Sequence, residues 1–179
     1  YAPRYTYTKE RMTIDRHSWQ CGGGGFMTWG MLMPNGLISV KVLREKVNSS
    51  SYIKLLETYA VPIMNLNLKP NYYFVQDNCS IHVSRISKEF LEKQSFQVVN
   101  WPSRSPDLNL MENVWRMLSS IVYDSGQARN IKDLEEKIVK AVLTINSEKI
   151  DITKCLYCSF RKRLTSVMIR KGNIYNSNE

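Results

Sequence analysis

Hydrophobic and polar positions change rhythm several times along this chain. Residues 1–21 are polar and weakly patterned, with a candidate short strand at Arg4–Thr8. Cys21-Gly22-Gly23-Gly24-Gly25 then interrupts the chain before the apolar stretch Phe26–Met33. Pro34-Asn35-Gly36 is a turn signal and Leu37–Leu43 reads as a partner strand, so 26–43 is expected to be a hairpin. Ile53, Leu56, Ala60, Ile63 and Met64 recur at helical spacing, which predicts a helix over about 50–66 capped by Asn48 or Ser49. Lys69-Pro70 stops it, and the apolar run that follows predicts a strand over 72–77.

Ser84 is a candidate cap for a second helix over about 85–94, and Phe96–Asn100 reads as a short strand. Residues 101–110, rich in proline and serine, are expected to be loop. Helical patterns then dominate. One covers about 110–124. A second covers 131–147, with Ile131, Leu134, Ile138, Ala141, Val142 and Ile145 on one stripe, and a third covers about 153–171. A hairpin, then helix–strand–helix–strand, then a helical tail predicts an α/β sandwich with parallel additions.

The 179 residues match one ordinary domain by length, and 43% hydrophobic content marks a globular rather than a disordered chain. No apolar run approaches the roughly 18 residues of a membrane span, and no membrane partner is expected. A net charge of +9 changes the picture more, because nucleic acid is the commonest partner of so basic a surface. An anionic membrane surface, or plain solubility, stays open on charge alone. The four cysteines are too few and scattered for a disulfide scaffold and read as free thiols. Cys155 and Cys158 have zinc-type spacing, but no second pair of that kind exists, so two ordinary helix cysteines are expected. The glycine run lacks the lysine and helix of a phosphate-binding loop and reads as a strand entry.

Three blocks carry chemistry. Gln76-Asp77-Asn78-Cys79-Ser80-Ile81-His82 closes the apolar run. Trp101-Pro102-Ser103-Arg104-Ser105-Pro106-Asp107-Leu108-Asn109 is followed by Glu112-Asn113-Val114-Trp115, and Gly23-Gly24-Gly25-Phe26-Met27-Thr28-Trp29-Gly30 precedes both. Together, over residues 22–125, they resemble the Tc-like branch of the mariner superfamily of cut-and-paste DNA transposases. Thirty-four residues separate Asp77 from Glu112, the gap that distinguishes this branch from relatives with an aspartate in the third place.

The resemblance implies a ribonuclease-H-like mixed sheet flanked by helices, with an Asp-Asp-Glu triad holding two Mg2+ or Mn2+ ions in the complete parent enzyme. Asp77 would be the second acid and Glu112 the third, as catalytic residues and metal ligands. Asp77 falls at the carboxyl end of a strand, where open α/β sheets place their ligand sites. Asn78 and His82 would support the second acid or face DNA. For His82 a structural hydrogen-bonding role stays open, for Asn78 a simple turn. Glu112 also stands three residues after Asn109, so service to a helix N-terminus is an alternative that does not exclude the first.

The implied partners are double-stranded DNA at transposon ends and target, with a homodimer in the parent protein, and the implied compartment is the nucleus. Arg161, Lys162, Arg163, Arg170 and Lys171 ride on one predicted helix, as a solvated face or as contacts to the DNA backbone.

Some features depart from the family pattern. The first catalytic aspartate is expected further before Asp77 than the seventy-six residues present, hence upstream of Tyr1, together with the first strand of the sheet. Asp15, the one aspartate ahead of Asp77, lies in polar surroundings and is not assigned to the triad. Leu110 and Met111 replace the proline and isoleucine usual in the third block. The expectation is therefore a partial catalytic core over 1–125 with a helical extension over 126–179, cleaving and joining DNA in its parent and inactive as this piece. A degenerate or host-recruited remnant that binds DNA or protein without cutting is the rival reading.

Overall fold

The computed structural model describes residues 27–66, 73–101 and 108–169. The candidate strand at Arg4–Thr8, the glycine run, and the cations Arg170 and Lys171 lie outside the described residues.

The hairpin forms as its pattern predicts. Strands β1 (Met27–Leu32) and β2 (Ile38–Leu43) pair antiparallel, with Met27 opposite Leu43 and Leu32 opposite Ile38. Gly36 closes the turn at φ +87°, a left-handed conformation that glycine adopts without a Cβ penalty. The outer edge of β2 is not left open at Ile38, whose N–H donates to Asn146 Oδ1 at 2.9 Å and whose carbonyl accepts from Asn146 Nδ2 at 2.9 Å. That side chain imitates a neighbouring strand, satisfying backbone groups that would otherwise be buried unpaired.

The helix expected over 50–66 is present but not uniform. It runs as α1 (Ser49–Leu55), a π-helical turn (Leu56–Ala60) and α2 (Val61–Leu66). Pro62 explains the interruption, since proline has no N–H for the carbonyl four residues back and its ring crowds that carbonyl. The ladder widens just before it, where the Val61 N–H donates to the Leu56 carbonyl five residues earlier. Asn48 is the cap, exchanging bonds with Ser51 in both directions.

Strands β3 (Tyr73–Phe74) and β4 (Gln97–Val98) pair in parallel and are shorter than the expected 72–77 and 96–100. Helix α3 (Arg85–Glu92) connects them, capped by Ser84 as its sequence predicts. Then follow α4 (Leu110–Asp124), α5 (Ile131–Glu148) and α6 (Ile150–Ile169).

Two hydrophobic clusters hold these pieces. One joins Ile38 of the hairpin to Val114, Leu118 and Val122 of α4 and to Ile138, Ala141 and Ile145 of α5. The other joins Tyr52, Leu56 and Ala60 to Phe74, Leu91 and Phe96. Val114 and Ile145 are wholly buried, each such side chain contributing about 1.5–3 kcal/mol by transfer from water.

Helix α4 lies directly on the hairpin, and Gly30 is what admits it. A Cβ at position 30 would stand 2.6 Å from the Trp115 ring and 2.8 Å from the Met111 methyl. Gly30→Ala is therefore expected to cost roughly 1–3 kcal/mol by overpacking. Urea unfolding should show that loss, and a second change at the clash, Trp115→Leu, should recover part of it. Equal stability of Gly30→Ala and the parent chain would refute the close contact.

Candidate active site

Asp77 is reached by leaving the sheet. After Phe74, which packs against Phe96 with ring centroids 5.7 Å apart, the chain stops pairing and turns to side-chain bonds. Gln76 is the pivot. Its Oε1 accepts from the Tyr52 hydroxyl at 2.5 Å, and its Nε2 donates to the His82 carbonyl at 3.3 Å. Gln76 is thereby fastened to helix α1, and the far end of the loop 77–82 is closed back onto Gln76.

Within that loop the Asp77 carboxylate is held on one oxygen. Oδ1 accepts the Cys79 N–H at 3.1 Å, the Asx turn that aspartate favours, and meets His82 Nδ1 at 2.7 Å. A carboxylate oxygen accepts in this contact, so the imidazole donates to it from Nδ1. The His82 ring lies 4.4 Å from the Tyr52 ring, which fixes its plane. Among the described residues Oδ2 has no hydrogen-bond partner, and half of the Asp77 side chain is open to solvent.

Glu112 is placed differently. Asn109 caps α4, its Oδ1 accepting the Met111 N–H at 3.1 Å, while the Glu112 N–H bonds the Asn109 carbonyl at 3.2 Å. The cap is made without the Glu112 side chain, which is exposed in the first turn and has no hydrogen bond or ion pair among the described residues. A negative charge there is favoured by the helix dipole, and that service to the helix N-terminus leaves the carboxylate oxygens unengaged among the described residues.

Asn78 does not merely turn the chain. Its Nδ2 donates to the Trp101 carbonyl at 2.9 Å, tying the Asp77 loop to the segment beyond β4. Arg161 and Lys162 are exposed on α6, whereas Arg163 is half-buried and donates from Nη1 to Asn113 Oδ1 at 3.2 Å. Cys155 and Cys158 are exposed free thiols on the same helix. Tyr52 and Trp101 are partners that motif reading assigned no role. Tyr52 gives one sequence signal, its place one turn before Leu56 and two before Ala60 on the buried side of the helix.

A parallel β-α-β unit and a hairpin, with an acid leaving a strand and another opening a helix, make an α/β core of the kind that places ligand sites beyond its strand ends. Residues 6–135 match the family model described as DDE superfamily endonuclease. The chain belongs to this family, as a Tc/mariner-type DDE transposase domain.

It is similar to the Tc3 transposase of Caenorhabditis elegans, 30% identical over 169 residues, covering 94% of this chain and 50% of that protein. The chain thus spans about half the length of that curated relative. In fold it is similar to the catalytic domain of Mos1 transposase determined with Raltegravir and Mg, with TM-score 0.70 and 16% identity, covering 84% of this chain and 77% of that one. The Mos1 paired-end complex with the left transposon end superposes with TM-score 0.70 at 15% identity, covering 87% and 46%. The fold is ribonuclease-H-like.

A divalent cation is the group that this family implies, and the described donors suit one. Asp77 offers a free oxygen on an oriented carboxylate and Glu112 an exposed, unengaged one, both hard donors of the kind Mg2+ takes. Among the described residues no group of three or more His, Cys, Asp or Glu side chains is gathered for a metal. These two therefore fit as part of an oxygen set.

The Tyr52 phenol is held well above its ordinary value by burial, and then by the charges of Asp77 and Cys79. With the folded value above the unfolded one, its stabilisation is complete below about pH 10 and is lost as pH rises past it. Tyr52→Phe should lower stability by about 1 kcal/mol at neutral pH through the lost bond to Gln76. It should also flatten the alkaline loss, so that the two unfolding curves converge above about pH 10. A constant gap across pH would contradict this assignment.

Proposed function

We propose that this chain is the catalytic core of a transposase that cleaves DNA at transposon ends and joins it to target DNA, with Asp77 and Glu112 as two of the carboxylates that hold Mg2+ or Mn2+. One observation carries the reading. In a chain of the DDE endonuclease family, Asp77 and Glu112 are both exposed and both keep oxygens that no described protein group uses.

The cations, when bound, activate a water or 3′-hydroxyl for attack on a phosphodiester and stabilise the leaving oxygen. The chain's own residues supply placement. Cys79 N–H and His82 Nδ1 hold Oδ1 of Asp77, which orients the carboxylate and leaves its other oxygen unused among the described residues. The Glu112 carboxylate lies in the first turn of α4, on a backbone fixed by the Asn109 cap, with its side chain free to adjust.

Duplex DNA as partner is supported by the net charge of +9, and Arg161 and Lys162 are exposed cations suited to phosphate contacts that position without reading sequence. Arg170 and Lys171 extend the same proposal. A nuclear site of action and a homodimer of the whole protein belong to this reading too.

The rival, a non-cutting DNA- or protein-binding remnant, is favoured by the finding that no three His, Cys, Asp or Glu side chains gather for a metal among the described residues.

Two experiments test the proposal. Mn2+ at a hundredfold excess over its dissociation constant should stabilise the chain by about 2.7 kcal/mol, read as a rise in Tm. Asp77→Asn and Glu112→Gln should each remove most of that rise, and a rise retained in both variants would rule out these ligands. Duplex affinity should fall by roughly a thousandfold or more between 50 and 200 mM salt if six or more phosphates are neutralised. Strong preference for one sequence with a flat salt response would argue against backbone positioning.

A further inference from the structure

Helix α6 touches both halves of the candidate site through one face. Asn78, next to Asp77, donates to the Trp101 carbonyl at 2.9 Å. The Trp101 ring is buried and lies nearly parallel to Phe160 of α6, with centroids 6.1 Å apart and planes 7° apart. One turn further, on the same face as Phe160, Arg163 donates from Nε to Ser159 Oγ at 3.2 Å and from Nη1 to Asn113 Oδ1 at 3.2 Å. Asn113 directly follows Glu112. Phe160 thus reaches Asn78 through Trp101 and Arg163 meets Asn113 directly, while Arg161 and Lys162 between them are exposed.

We propose that α6 is a brace that sets the spacing of Asp77 and Glu112, with Phe160 and Arg163 as positioning residues. The proposal rests on the reading of those two carboxylates as cation ligands. The chemistry suits the task. A flat ring stacked on a buried indole resists sliding and tilting more than an aliphatic side chain does. A guanidinium offers donors in fixed directions in one plane, so it can hold Ser159 and Asn113 at once. A lysine ammonium carries the same charge without that fork. Arg163 is accordingly assigned to contacts within the domain, separate from the exposed cations proposed to meet DNA.

The variants are Phe160→Ala, Phe160→Tyr and Arg163→Lys in the 179-residue chain, checked for folding by circular dichroism. The first readout is Mn2+ affinity by calorimetry. Phe160→Ala and Arg163→Lys should each weaken it roughly tenfold, the low end for groups that orient metal ligands. Phe160→Tyr, which keeps the stacked ring, should remain within about twofold of the parent. Arg163→Lys should keep its affinity for duplex DNA at fixed salt, because Arg163 is bonded to Ser159 and Asn113 and is not among the cations proposed to meet DNA.

A metal-free readout accompanies it, the Asn78 and Asn113 side-chain amides in 1H–15N spectra. Phe160→Ala should shift the first and Arg163→Lys the second. If Asp77→Asn and Glu112→Gln leave Mn2+ binding intact, the ligand reading fails. If they abolish binding while folded Phe160→Ala and Arg163→Lys bind as the parent does, the brace alone fails. Amides unmoved in both variants overturn the brace whatever the metal does, and so does loss of DNA affinity in Arg163→Lys without loss of Mn2+ affinity.

Discussion

The seating of α4 against the hairpin is the constraint on which the rest turns. A glycine at position 30 lets the Trp115 ring and the Met111 methyl come against the strand backbone. That approach sets the rotation of α4 about its axis. Val114, Leu118 and Val122 then enter the core with Ile38 and the α5 stripe, Asn113 reaches Arg163 on α6, and Glu112 is left outward in the first turn. A helix has one rotational setting, so burying Val114 fixes where Glu112 can be. The position of the acid follows from the packing of its neighbours.

The two carboxylates are prepared in opposite ways. Asp77 sits on a loop, which is a poor platform, and the chain compensates with polar ties that converge from several elements. Tyr52 holds Gln76, Gln76 holds the His82 carbonyl, and His82 holds Asp77. The buried phenol at the base is well placed for this, since a hydrogen bond shielded from water is costly to leave unmade. Glu112 has a rigid backbone and an unrestrained side chain. One acid is oriented in advance and the other can adjust, which suits the proposal that the two would share a divalent cation.

The interior supports this division. The hairpin, α4 and α5 share one cluster, whereas α1, the π-helical turn, β3 and α3 share another. Asp77 belongs to the second group of elements and Glu112 to the first. Trp101, with its carbonyl on Asn78 and its ring on Phe160, is where the second group meets the helical tail.

Much of the architecture was legible in one dimension. The apolar periods of 110–124 and 131–147 carry helices over Leu110–Asp124 and Ile131–Glu148, because a stripe at helical spacing has one way to bury itself. Pro34-Asn35-Gly36 fixes the hairpin and Ser84 starts α3, both local effects of backbone preference and capping. The strands at 72–77 and 96–100 shrank to two residues each, since strand length depends on a partner's ladder and composition records only willingness to pair. The π-helical turn before Pro62 escaped a pattern that knows only one helical period.

For the candidate site, the motif blocks pointed to Asp77, Asn78, His82 and Glu112, whose proposed roles follow from their types and spacing in those blocks. Tyr52 beneath His82, Phe160 on Trp101 and Arg163 on Asn113 were decided in three dimensions, because they meet residues 24 or more positions away whose identities say nothing about who will be adjacent. Local preference and periodicity are written into neighbouring residues. Contacts between distant elements exist only once the core has chosen how its helices turn and stack.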